Sequence, residues 1–172
     1  MRLFKLAILS LLTSAAQAEK LQLASEGFAA NTLFPVLYAC DGKSIAPPLN
    51  WINVPKNTVS LSLIVKDLTS SKPIYQWVIY DIPASISSID ESSGALPAQI
   101  LQGKNSWNKT GYYGLCPPLG KLHVYEFSLY ALDKKLNLPV GVDAQTLLQA
   151  MEGSVVQKAT LTASYSRWPW AQ

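Results

Sequence analysis

Histidine occurs once in the 172 residues and cysteine twice. A single histidine, His123, excludes a histidine-rich metal centre. Two cysteines without further histidines fall short of the four ligands that a structural zinc takes. No acidic segment has the ligand spacing of a calcium loop. Charge is scarce as well: Asp, Glu, Lys and Arg make up 15% of the chain and gather in no block. The pattern therefore lacks the concentrated basic face that grips a phosphate backbone, and nucleic acid is not an expected partner. Low-complexity tracts, repeats and long linkers are absent too, so one ordered domain is expected. Neither a metal nor a cofactor is expected.

Enzyme signatures are equally thin. There is no G-x-S-x-G turn, and a serine triad would have to use His123 as its base. "GLCPPLGK" superficially resembles a phosphate-binding P-loop, but five residues rather than four separate Gly114 from Gly120. Pro117 and Pro118 also lack the amide hydrogens that such a loop uses, and Leu122 stands where a magnesium-binding hydroxyl belongs. The expectation is a protein that is not an enzyme. Asn108-Lys109-Thr110 is a glycosylation sequon, which matters only in a eukaryotic secretory pathway.

The one long apolar run lies at the start. Arg2 and Lys5 precede Leu6–Leu12, and Ala16-Gln17-Ala18 has the small-x-small form of a cleavage site. The run is shorter than the roughly 20 residues that span a bilayer. Residues 1–18 read as a signal peptide, with residues 19–172 as a single exported domain, periplasmic or secreted, without a transmembrane anchor. Removing the signal leaves twelve basic against eleven acidic residues, so the nominal charge of +3 belongs largely to it. In an oxidising compartment Cys40 and Cys116 form a disulfide or remain as two separately buried thiols.

What remains is rich in strand pattern. Val59–Val65, Tyr75–Tyr80, Tyr125–Ala131 and Ala159–Tyr165 are β-branched and aromatic, and the last two alternate strictly. One helix is predicted: Asp143 caps it, Ala144, Leu147, Leu148 and Met151 share a face, and Gly153 ends it. The expected fold is mostly β, a sandwich or barrel of antiparallel sheets with a few short helices.

Five segments in order carry a more specific signal: "YACDGKSIAPPLNWINVP", "LSLIVKDL", "QWVIYDIP", "LQGKNSWNKTGYYGLCPPLGKLHVYEFSLYALD" and "LLQAMEGSVVQKATLTASY". Together they resemble the phosphatidylethanolamine-binding protein family, in its bacterial branch. The resemblance implies a β-sandwich with a small pocket for phosphate, acetate-like anions or a phosphorylated lipid headgroup. By motif, Pro117, Pro118, His123 and Tyr125 form one wall of that pocket and Asp67 is its acid. Two positions depart from the family: Thr69 replaces the second acid of a D-P-D-A-P run, and Gln76 replaces a histidine. Gln76, Thr69 and His123 can still donate to a phosphate, but charge-assisted bonds are roughly twice as strong as neutral ones, so weakened or altered anion binding is expected. The alternative is a residual pocket with no ligand. The resemblance also implies that His123 is held charged by a bound phosphate and Asp67, while Asp67 alone reads equally well as a strand-end turn residue. A Cys40–Cys116 bond would tie the Pro117-Pro118 wall to the Asp41-Gly42 loop. Family members that regulate kinases or inhibit proteases imply a protein partner as the alternative function, and the bacterial branch implies a homodimer. Trp168 and Trp170 near the end either pack back on the domain or form an exposed contact.

Overall fold

The computed structural model describes residues 19–92 and 96–168. The signal-like residues 1–18 and Trp170 lie outside them. The strands are β1 (Gln22–Ala24), β2 (Thr32–Leu33), β3 (Leu49–Ile52), β4 (Ser60–Asp67), β5 (Ile74–Pro83), β6 (Ser88–Ile89), β7 (Leu101–Gln102), β8 (Leu122–Leu132) and β9 (Val155–Ser166). A single-turn 3-10 helix covers Val36–Tyr38, and α1 covers Ala144–Met151. The expected mostly-β sandwich is present. A three-stranded sheet, β1-β3-β6, stands beside a six-stranded sheet in the order β2-β9-β8-β4-β5-β7. Pairing is antiparallel except between β2 and β9.

Alternation decides which side chains meet between the sheets. On β8, Tyr125, Phe127, Leu129 and Ala131 are fully buried, as their spacing predicts. In register opposite them stand Asp67, Val65, Leu63 and Leu61 of β4. Phe28 and Phe34 come over from the loops and close on Phe127, with ring centroids 5.2 and 5.9 Å away. β4 is buried on both faces because its outer face is covered too: Ile64 of β4, with Val78 and Tyr80 of β5, packs under Ala144, Leu147 and Met151 of α1.

The helix begins where its sequence says. The Asp143 side chain accepts from the Thr146 amide at 2.7 Å, and that bond holds the carboxyl below its usual range. Gly153, just past the end, has φ of 72°, the left-handed conformation that glycine adopts without strain. Asp143→Ala is expected to cost about 1 kcal/mol in denaturant unfolding, with Asp143→Asn recovering most of it.

Candidate functional site

Asp67 ends β4 and His123 lies one residue inside the start of β8, on the face that points between the sheets. The His123 Nδ1–H donates to Asp67 Oδ2 at 2.7 Å. The other carboxylate oxygen accepts from the amides of Thr69 (2.8 Å) and Ser70 (3.0 Å). Asp67 is thus the strand-end turn residue that the sequence allowed, and it holds the histidine as well. The Asp67 bond holds the ring through Nδ1 and fixes which nitrogen carries that proton, so Nε2 is the nitrogen left for a ligand.

Behind this pair lie two polar groups that the chain itself leaves without a hydrogen-bond partner. Tyr125 faces Asp67 across the β4–β8 register and is completely buried; the Asp67 carboxylate and the Cys116 backbone lie near its hydroxyl, but neither makes a hydrogen bond of good geometry with it. Burial first, and then the neighbouring Asp67 charge, push its phenol well up, so it stays a neutral donor. Gln76 is 1% exposed, and its Oε1 is likewise unpartnered. Gln76 owes its position to a register step: Val65 pairs with Trp77 but Lys66 pairs with Tyr75, so Gln76 is the extra residue of a β-bulge. Bulges re-aim a side chain locally and recur beside functional sites. Of the four residues only His123, at 13% side-chain exposure, keeps appreciable solvent contact, and a ligand meets it first.

The wall forms from the segment that follows Gly114. Cys40 and Cys116 are bonded with Cα atoms 5.4 Å apart, within the span a disulfide allows, which decides between a disulfide and two thiols. Backbone contacts run alongside: Cys40 N–H donates to Leu115 O (3.2 Å), and Gly114 N–H donates to Ser44 Oγ (2.9 Å). Pro117 is buried and Pro118 exposed. Asp41, next to Cys40, accepts from Tyr165 Oη at 2.9 Å and from Arg167 Nε at 2.9 and 3.1 Å. Burial and that bond raise the Tyr165 phenol to about 12. This brace of Asp41, Tyr165 and Arg167 was not foreseen from the sequence, because Asp41 lies over a hundred positions from the other two.

Thr69 has a different surrounding from the other motif residues. It is exposed, and its hydroxyl oxygen accepts from the Val124 amide at 2.9 Å, which closes the gap between the β4–β5 loop and β8. Its hydroxyl proton remains available to a ligand. The second feature that sequence reasoning passed over is aromatic: Trp107 stacks on Tyr113 with centroids 4.0 Å apart and planes 23° from parallel. Trp168 is about half exposed, at 52%. Among the described residues no group of three or more His, Cys, Asp or Glu is placed to hold a metal ion. No helix among them is long and apolar enough to cross a membrane.

Comparison with known proteins finds relatives in sequence and in fold. A Methanothermobacter thermautotrophicus protein described as a UPF0098 protein is 42% identical over 137 residues, covering 77% of this chain and 90% of its own length. A Mycobacterium tuberculosis relative that bears a lipoprotein name, LppC, is 36% identical over 89% of this chain and 76% of its own. Among solved structures, a phosphatidylethanolamine-binding protein homologue from Chlamydia trachomatis, CT736, superposes with a TM-score of 0.79 at 34% identity. That match covers 86% of this chain and 98% of the other. Escherichia coli YbcL shares the fold with the same TM-score at 24% identity, over 86% and 99% of the two chains. The profile of the family described as phosphatidylethanolamine-binding protein matches residues 24–166, a span that takes in β2 through β9 together with the Asp67–His123 pair. The chain belongs to the phosphatidylethanolamine-binding protein family.

Proposed function

We propose that the protein binds a small phosphate-bearing anion at His123, without covalent chemistry, and does so outside the cytoplasm. The observation that carries this reading is the pair of buried polar groups without a well-formed hydrogen bond, Gln76 Oε1 and Tyr125 Oη, at the end of the sheet where Asp67 orients His123. A buried polar group without a partner costs about 1–3 kcal/mol, and a ligand that satisfies it recovers that cost. The Gln76 carboxamide carries a donor and an acceptor that exchange places by a half-turn, the tyrosine carries a donor, and the outward imidazole nitrogen completes the set. A hydrogen phosphate suits all three: its oxygens accept from the carboxamide and the phenol, and its P–O–H donates to the Nε2 lone pair of the Asp67-bound ring.

Covalent catalysis has little support here. Cys116 is held in a disulfide, and the hydrogen bond of the Thr69 hydroxyl is to the Val124 amide while Nδ1 of His123 is bonded to Asp67, so neither forms a nucleophile paired with His123. Export is supported by the signal pattern of residues 1–18, by the disulfide, and by the lipoprotein name of the mycobacterial relative.

Inorganic phosphate at about a hundred times its dissociation constant is expected to raise the melting temperature by roughly 5–10 °C, and His123→Ala to remove the rise. An unchanged melting temperature in the wild-type protein refutes the reading. A second reading draws on the exposed Leu68, Leu119 and Leu122 (48–59% exposed) around the same end of the sheet: a protein partner seated on this rim. In that case phosphate has no effect on melting, and Leu119→Glu with Leu122→Glu abolishes the contact while leaving the fold intact.

A further inference from the structure

We infer that the cleft beside the Asp67–His123 pair receives the organic part of the ligand, and that this part is an uncharged sugar ring, so that the ligand class is a hexose monophosphate. The inference rests on the phosphate reading above and names its substituent.

The cleft has a volume of about 420 Å³, within the range of small-molecule sites, and is lined by Ser70, Ser71, Lys72, Pro73 and Trp107 among others. It is joined to the histidine through one carboxylate. Asp67 holds His123 with Oδ2 and the Ser70 amide with Oδ1, so the imidazole and the first residue of the cleft stand on either side of a single side chain.

Its walls are built in advance. Buried Asn105 accepts from the amides of Trp107 (3.0 Å) and Lys109 (3.1 Å) and donates to Gly111 O (3.2 Å), which locks the turn that carries the indole. Ser106 fastens that turn to β5 through two bonds with Tyr75, at 2.9 and 2.8 Å. Tyr113, under the indole, donates its amide to Gln76 O at 2.9 Å, so the aromatic platform is anchored to the bulge itself. Preorganisation of this kind lowers the ordering cost of binding.

The chemistry of the lining selects the substituent. Trp107 is stacked on one side and 39% exposed, so a flat aromatic face is available to the ligand. Such a face accepts the carbon face of a sugar ring, and the Ser70 and Ser71 hydroxyls can meet the ring's own hydroxyls. Among the described residues Lys72 makes no ion pair. Its charge opposes a cationic ammonium substituent. The apolar part of the lining is confined to Pro73, Ile74 and Trp107. An uncharged, hydroxyl-rich ring satisfies all of these constraints.

Calorimetry on the full chain tests this with three probes: inorganic phosphate, glucose 6-phosphate and phosphoethanolamine. Glucose 6-phosphate is expected to bind about tenfold more tightly than phosphate, the size of one good aromatic contact. Phosphoethanolamine should bind no better than phosphate. Trp107→Ala should bring glucose 6-phosphate down to the phosphate value without altering phosphate itself, and Trp107→Phe should keep part of the advantage. Lys72→Glu should raise the affinity for phosphoethanolamine relative to glucose 6-phosphate. Equal affinities of the wild type for phosphate and glucose 6-phosphate overturn the inference and leave the phosphate reading standing. So does an equal loss of both ligands in Trp107→Ala. No binding of phosphate by the wild type overturns both.

Discussion

Asp67→Ala should lose phosphate binding and about 3 kcal/mol of stability, whereas Asp67→Asn should keep the fold and lose affinity alone. The carboxylate is 3% exposed and receives three donors: the amides of Thr69 and Ser70 and the His123 Nδ1–H. Truncation leaves all three without a partner, and the loop that carries the Ser70–Lys72 edge of the cleft loses its anchor. Asparagine keeps one oxygen for the two amides. Its other atom is then an N–H₂ group that faces Nδ1 as a donor, so the neutral ring must place its proton on Nε2. The inward charge-assisted bond becomes a neutral one of about half the strength, and phosphate affinity is expected to fall about tenfold. Denaturant titration measures the first quantity and calorimetry the second. Equal destabilisation by alanine and asparagine would show that the backbone amides do not depend on the side-chain oxygen.

The contrast between these two variants matches what the sequence discloses about the site. Strand faces were legible, because the two-residue period of Tyr125, Phe127, Leu129 and Ala131 survives intact into the core. The helix was legible too, since a cap, a stripe and a glycine stop are all local signals. The bulge at Gln76 was not, because it exists only as a mismatch between two strands whose pairing no single segment records. Motif resemblance names Thr69 as a pocket position, but whether its oxygen meets a ligand or an amide depends on where β8 starts, and the Val124 amide lies within reach. The stacking of Trp107 on Tyr113 was missed for a similar reason: six positions apart in a loop, they share no period, and it is the hydrogen bonds of Asn105, of Ser106 with Tyr75 and of the Tyr113 amide with Gln76 that bring them together. Sequence thus reports the residues of this site well and their obligations poorly.

Removing the disulfide should cost stability far more than affinity. In the chain-entropy account, closing a loop across the 76-residue separation of Cys40 and Cys116 destabilises the unfolded chain by roughly 4.5 kcal/mol. Native disulfides lost from small domains cost about 2–5 kcal/mol, so Cys40→Ser with Cys116→Ser is expected to lower the melting temperature by roughly 10 °C. The pocket wall, however, does not hang from the sulfurs alone. The bonds from Cys40 N–H to Leu115 O, from Gly114 N–H to Ser44 Oγ and from Tyr112 Oη to Tyr38 O all remain, and Asp41 stays tied to Tyr165 and Arg167. Gly114 itself sits so close to this partner segment that an added Cβ would approach the Cys40 nitrogen to 2.7 Å, so the two chains are already pressed together without the bond. Phosphate affinity in the double serine variant, measured at 25 °C where the protein is still folded, should therefore fall less than about threefold. A large loss of affinity with only a small change in melting would reverse the assignment. The disulfide would then be a clamp on the Pro117-Pro118 wall, and the backbone bonds beside it too weak to hold His123 and Tyr125 in place.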